Sequence, residues 1–184
     1  MSTIHTRETQ TALWHELVRE GEQRAGRALG EERESYLVMT LMRHLGDAPL
    51  AHRVMAFELL EALQSSGRTR QQELRDVGDR CLLISGLYPE LAERRRVQLT
   101  YFMDLGRGAY ARAAQEMSAA MKELFEELSR GFAELVRVLF ELRGLSRQVP
   151  VLAPLDRHAL ALEARTAERD FPGAIVVSSP RRRQ

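Results

Sequence analysis

The sequence predicts an all-α, single-domain bundle of six or seven helices with a short C-terminal tail. Three observations carry that expectation. Apolar residues recur at i, i+3, i+4 and i+7 along nearly the whole chain, and no segment before residue 171 alternates as a strand does. Stretches bearing glycine or proline interrupt the pattern at helix-length intervals. The 184 residues, 44% hydrophobic and 29% charged, suffice for one core. A chain of this size buries roughly 70% of its unfolded surface and needs no disulfide or metal support. The domain is expected over residues 1–170, with 171–184 as a basic, flexible tail.

Each element follows from its own pattern. In the first helix, Leu13, Trp14, Leu17, Val18, Gly21, Ala25 and Ala28 form a stripe that Gly30 closes. The second, about Glu32 to Leu45, turns Leu37, Val38, Leu41, Met42 and Leu45 inward. Gly46 to Pro49 breaks the chain, and Pro49 opens a third helix reaching Gln64. That helix is apolar around much of its circumference, with Arg53, Glu58, Glu61 and Gln64 marking a solvent side. After a break at Ser65 to Thr69, the fourth helix aligns Leu74, Val77, Gly78, Cys81, Leu82 and Ser85. Leu83, Ile84 and Leu87 make its C-terminal half apolar on all sides, and Gly86 and Pro89 bracket its stop.

The fifth helix is expected from Glu90 to Met117. One face carries Leu99, Phe102, Met103, Gly106, Ala109, Tyr110, Ala113 and Met117; the absence of bulk at Gly106, Ala109 and Ala113 lets another helix cross closely. Val97, Tyr101, Asp104, Leu105 and Gly108 lie opposite, which predicts a central helix covered on both sides. The sixth, Ala119 to Arg143, bears a near-heptad seam of Met121, Leu124, Phe125, Leu128, Phe132, Leu135, Val136, Leu139 and Phe140. A short helix is expected from Leu155 to Glu168, then a strand-like Ile175 to Val177 and the Arg181 to Arg183 cluster.

Charge and cysteine content narrow the function. The 27 basic and 26 acidic residues leave a net charge of +1, which disfavours a dedicated nucleic-acid binder. The clusters Arg94 to Arg96 and Arg181 to Arg183 are too small or too scattered to change that, and no helix-turn-helix pattern occurs. Lys122 is the only lysine; the arginines run along the whole chain, as a GC-rich bacterial genome produces. One cysteine, Cys81, allows no internal disulfide or multi-thiolate metal site and suits a reducing compartment. With no secretory h-region and no apolar run near the ~20 residues that span a bilayer, the chain is read as cytoplasmic, with no membrane partner.

Chemical motifs are few. No glutamate stands three residues before His5, His15, His44, His52 or His158, so the Glu-x-x-His pairs of di-iron bundles are missing. His15 and Glu16 begin a zinc-protease pattern, but Arg19 occupies the second ligand position. Hence neither metal nor cofactor is expected. His52, projecting with Met55, Ala56, Leu59 and Leu63, is the best candidate for an axial haem ligand, weighed against an ordinary core histidine. Cys81 lies mid-stripe, where a thiol behaves as a small hydrophobe, and no nucleophile elbow or phosphate-binding glycine loop appears. The remaining polar constellation is Asp76, Asp79, Tyr101, Asp104, Arg107 and Tyr110. Asp79, Tyr101, Asp104, Arg107 and Tyr110, with His52, form a candidate polar pocket between the third, fourth and fifth helices. Its structural alternative is an interhelical network that fixes packing.

The pattern Gly78, Asp79, Leu82, Ser85, Gly86, Tyr88 and Pro89, followed by Tyr101, Phe102, Leu105, Gly106, Ala109 and Tyr110, resembles a set of uncharacterised bacterial cytosolic all-helical proteins. The set has no established activity, so the resemblance assigns no catalytic residue. It puts weight on the turn between the fourth and fifth helices. The leading expectation is a non-enzymatic protein acting through protein–protein contact, as a homodimer or adaptor, using the sixth-helix seam. The alternative is a small-ligand-binding bundle, or an enzyme, built on the polar pocket.

Overall fold

A computed structural model of the chain describes the backbone of residues 2–44, 55–94 and 96–145, and side chains within these ranges from Gln10 onward except that of Arg94. Among the described residues the secondary structure is all helical, in eight helices. They are α1 (Ser2–Ala25), α2 (Glu31–His44), α3 (Met55–Gln64), α4 (Gly67–Leu87), α5 (Glu90–Arg94), α6 (Leu99–Gln115), α7 (Ala119–Arg130) and α8 (Phe132–Leu145). The all-α class is as the periodicity predicts. Pro49, Leu45, His52, Arg53 and the expected elements beyond Leu145 lie outside the described residues.

Two expected helices are each divided. The segment from Glu90 to Met117 breaks between α5 and α6, where Arg96 takes the left-handed region at φ 54° and the Val97 N–H reaches back to the Ala92 carbonyl at 3.0 Å. A non-glycine residue seldom sits there, so composition gives no warning of the turn. The segment from Ala119 to Arg143 breaks at Gly131, with φ −88° and ψ 13°. A one-residue interruption keeps the apolar phase, and the seam therefore reads as continuous. Its halves pack differently: α7 lies on α6, whereas α8 lies on α4 and α1. Phe125, Leu128, Phe132, Leu135, Val136 and Leu139 are core, while Met121 and Phe140 are exposed.

The central helix is α4, in place of the expected fifth helix. It packs against α6, α8 and α3, and from Val77 to Tyr88 every residue but Arg80 is buried. Glycines make these approaches possible. A Cβ at Gly78 would collide with the Tyr110 ring, and one at Gly86 with Leu139. A Cβ at Gly106 of α6 would lie 2.5 Å from Phe132 Cζ and 2.7 Å from Cys81 Cβ. The outer face of α6, expected to be covered, is open: Tyr101 is 40% exposed and Asp104 is exposed, with Val97 and Leu105 half-buried. The helical period placed Tyr101 and Asp104 away from the core, whereas Leu105 and Val97, which precedes α6, pack against the core's edge. Coverage of the far side is a tertiary property that the period does not contain.

Other boundaries shift for local reasons. Helix α1 ends at Ala25, closed by Gly26 at φ 61°; Ala28 is exposed, and Leu29 turns inward with its N–H donating to Glu22 at 2.6 Å. Glu58, expected on the solvent side of α3, is 8% exposed because Arg80 reaches it across the α3–α4 contact at 2.6 Å. Phe57 and Leu60 are the residues that α3 turns outward. No helix among the described residues is long and apolar enough to cross a membrane.

The close crossing at Gly106 yields a paired prediction. Gly106→Ala should destabilise the fold by about 1–3 kcal/mol, because Phe132 and Cys81 must both move. Two residues on, Gly108→Ala meets only the guanidinium end of Arg112 and should be neutral or stabilising by up to about 1 kcal/mol. Urea denaturation followed by circular dichroism checks both. Equal effects at the two positions would contradict the packing described.

Candidate functional site

At the middle of α4, the carboxylate of Asp79 is fully buried. Its Oδ1 accepts hydrogen bonds from the Tyr36 hydroxyl of α2 at 2.6 Å and the Tyr110 hydroxyl of α6 at 2.8 Å. Its Oδ2 accepts from Arg43 Nη1 at 3.0 Å, with His44 Nε2 at 3.6 Å and Arg75 Nε at 3.7 Å. The absence of a side chain at Gly78 lets the Tyr110 ring lie across α4 beside this carboxylate. Both tyrosine rings meet Phe125 edge-on, at 5.3 and 5.5 Å between centroids, and the Arg75 guanidinium sits 5.7 Å over the face of Tyr36. A buried carboxylate is tolerated only with such partners, since desolvating it costs several kcal/mol. Burial first, and then the Asp79 charge, push both tyrosine hydroxyls well above their ordinary value of 10.0.

The expected polar constellation is thus divided by the fold. Asp79 and Tyr110 come together. Asp76, one turn before Asp79, stands near them, its carboxyl raised above the usual carboxylate range by partial burial and then by the Asp79 charge. Asp104 and Arg107 instead form an exposed ion pair at 3.2 Å on the open face of α6, and Tyr101 stands on that face beside Phe102. At about 100° per residue, Tyr101 lies half a turn round α6 from Tyr110 and Asp104 about a third of a turn. Arg107, on the flank nearer Tyr110, is exposed and turns to Asp104 instead of Asp79. His52 lies outside the described residues. Tyr36, Arg43, Arg68 and Arg75 were not among the expected residues. Reading polar residues for helical period, as apolar ones were read, would have found signals: Tyr36 and Arg43 are i, i+7, and Arg75 and Asp79 are i, i+4.

Beside this network opens a cavity of about 430 Å³. Helix α2 contributes Arg43, and the first half of α4 contributes Arg68, Gln71, Gln72, Arg75 and Asp76. Met117, Ser118 and Met121 close the third side at the start of α7. Positions 68, 71, 72 and 75 are i, i+3, i+4 and i+7, so one stripe of α4 faces the cavity. Ser118 is the N-cap of α7, and its side chain makes no capping bond. The partial positive charge of that helix end adds to the three guanidinium groups. Arg68 pairs with no acid among the described residues, whereas Arg43 and Arg75 are held by Asp79. The cavity therefore presents two cations that the fold has already oriented, Arg43 and Arg75, and a third, Arg68, that is exposed.

His44, Asp76 and Asp79 also bring three ligand atoms within 4.8 Å of one another, and His44 Nε2 is buried without a hydrogen-bond partner. The donor set does not suit a metal cation, because Arg43 and Arg75 already stand on the Asp79 oxygen that a metal would need. Cys81 is buried, its thiol pushed up to about 12 by burial and then by the Glu58 charge, which makes it a poor nucleophile. The zinc-protease-like pair resolves as structure: His15 Nδ1 and Arg19 Nε approach the same Glu34 carboxylate oxygen, at 2.7 and 3.1 Å, joining α1 to α2. No protein-family model, curated protein or solved structure matches the chain.

The network makes a pH prediction. Tyr36 and Tyr110 keep their protons in the folded state beyond the pH at which free tyrosine ionises, so the stability they confer is full below about pH 10 and falls as pH rises above it. Alkaline titration followed by tyrosinate absorbance should show at least two of the four tyrosines, Tyr36 and Tyr110, ionising only as the protein unfolds. Tyr110→Phe should lower stability by about 1.5–3 kcal/mol, the worth of a hydrogen bond to a charged group. Smooth ionisation of all four tyrosines in the folded protein would contradict the buried network.

Proposed function

We propose that this chain is a binding protein for a small anion, held in the cleft between α2, α4 and the start of α7. The single observation that carries this reading is the convergence of Arg43, Arg68 and Arg75 on one cavity. Guanidinium groups offer planar forks of N–H donors that suit oxyanions, and their charge does not depend on pH in the ordinary range. Asp79 holds two of the three before any ligand arrives, so part of the ordering cost of binding falls on folding. This deepens the expectation of a small-ligand-binding bundle and moves the pocket: it lies against α2 and α7, and Tyr101, Asp104 and Arg107 take no part in it.

Isothermal calorimetry and thermal unfolding with inorganic phosphate, sulfate and citrate, against a chloride background, test the reading. At least one of these oxyanions should bind and raise the melting temperature. Arg68→Gln should weaken that binding by about tenfold, a loss near 1.4 kcal/mol, and leave the melting temperature without ligand unchanged. Failure of all three to bind at millimolar concentration would remove the proposal.

The protein-contact reading keeps a separate support. Phe57 and Leu60, one turn apart on α3, are 65% and 54% exposed, and apolar side chains of this size on one helix face suit a homodimer contact. The seam of α7 and α8, mostly core, supplies little to such a surface. Light scattering on the double variant Phe57→Ser, Leu60→Ser should report a monomer where the unaltered chain is a dimer; a monomer for both sets this second reading aside.

A further inference from the structure

Resting on the anion reading above, we infer that the ligand is a small organic phosphate. Its phosphoryl group sits among Arg43, Arg68 and Arg75, and an apolar moiety extends over Met117 and Met121. The first argument is the placement of the donors. Arg68 and Arg75 are seven residues apart on α4, about 10 Å along the helix, and they reach the cavity from two ends of one stripe. Arg43 approaches from a different helix, and Ser118, at the N-terminus of α7, from a third side. A carboxylate carries two oxygens in one plane and is satisfied by a single guanidinium fork. A phosphoryl group carries three terminal oxygens pointing out of any one plane, and it needs donors from several directions.

Charge leads to the same class. Asp76 is the acid that lines the cavity, and Asp79 lies buried behind it, enclosed between Arg43 and Arg75. Three guanidinium groups and a helix N-terminus outweigh them, which leaves the site net positive. A phosphate monoester, carrying about −1.5 to −2 at neutral pH, neutralises that excess better than a singly charged carboxylate does. Size and lining supply the rest of the ligand. The cavity, at about 430 Å³, falls in the range of roughly 300–1,000 Å³ typical of small-molecule sites and exceeds what one phosphate fills. Met117 is half-buried and Met121 is exposed, and both line the side nearest α7. Their flexible thioether chains form an adaptable apolar surface beside the charged end.

Calorimetry on the full chain with phenyl phosphate, inorganic phosphate and benzoate separates the possibilities. Phenyl phosphate should bind about tenfold more tightly than either of the others. Arg68→Gln should weaken it by about tenfold with an unchanged melting temperature, since that side chain is exposed and pairs with no acid among the described residues. Met121→Ser should bring phenyl phosphate down toward the affinity of inorganic phosphate and leave inorganic phosphate itself unaffected. Benzoate binding as tightly as phenyl phosphate, with the same dependence on Arg68, would overturn the phosphate assignment and leave the anion site standing. If none of the three binds, and sulfate and citrate also fail, both readings fall together. Co-sedimentation with phosphatidylcholine vesicles containing phosphatidic acid addresses the other source of a phosphate monoester. Capture by those vesicles without binding of phenyl phosphate overturns the assignment to a small ligand.

Discussion

The carboxylate of Asp79 is the point on which three helices agree. It accepts from Tyr36 and Arg43 of α2 and from Tyr110 of α6, while Arg75 of its own helix closes the other side. Because the charge is fully buried, removing a partner leaves a deficit of about 3–5 kcal/mol where paired ions are concerned. The geometry is also restrictive. Each residue step turns a helix by about 100°, so a one-residue slip of α2 carries Tyr36 and Arg43 away from Asp79 together. Hydrophobic contact alone tolerates such slips far better, being non-directional. The same bonds that fix the helices also hold Arg43 and Arg75, two of the three arginines facing the cavity.

Much of the fold was legible because helical period is a local property. Leu37, Val38 and Leu41 of α2, and Leu74, Val77, Cys81 and Leu82 of α4, are core residues where the spacing placed them. The close approaches at Gly78, Gly86 and Gly106 follow from the same lack of bulk that the sequence displays. Breaks that preserve phase were not legible. Gly131 interrupts the chain for one residue and changes the partner of everything after it, from α6 to α4 and α1, without disturbing the heptad-like spacing. The left-handed Arg96 is hidden for a different reason, since arginine carries no turn signal.

The candidate site was legible by half. Asp79 flanks an apolar stripe, and Tyr110 lies on the inward face of the next long helix, so their meeting follows from two amphipathic patterns. Tyr101 and Asp104 were grouped with them on the supposition that the outer face of α6 is covered, which depends on contacts distant in sequence. Tyr36 and Arg43 precede Asp79 by 43 and 36 positions, and nothing local to α2 indicates which helix it will face. The cavity arginines were obscured by their abundance. Against 26 other cationic residues, no single arginine stands out until the fold shows which acid or cavity it meets.

Helix α4 divides its length between two tasks. From Val77 onward it is enclosed by neighbours, and glycines set how near they come; from Arg68 to Asp76 it presents a polar stripe to an open cleft. Mutational tolerance follows that division, because exposed positions usually change stability by no more than about 0.5 kcal/mol while tightly packed ones cost several times as much. Exchanging Arg68, Gln72 or Met121 alters the lining of the cleft and leaves the core in place. Changing Tyr36, Gly78, Asp79 or Tyr110 disturbs the buried contacts that join α2, α4 and α6.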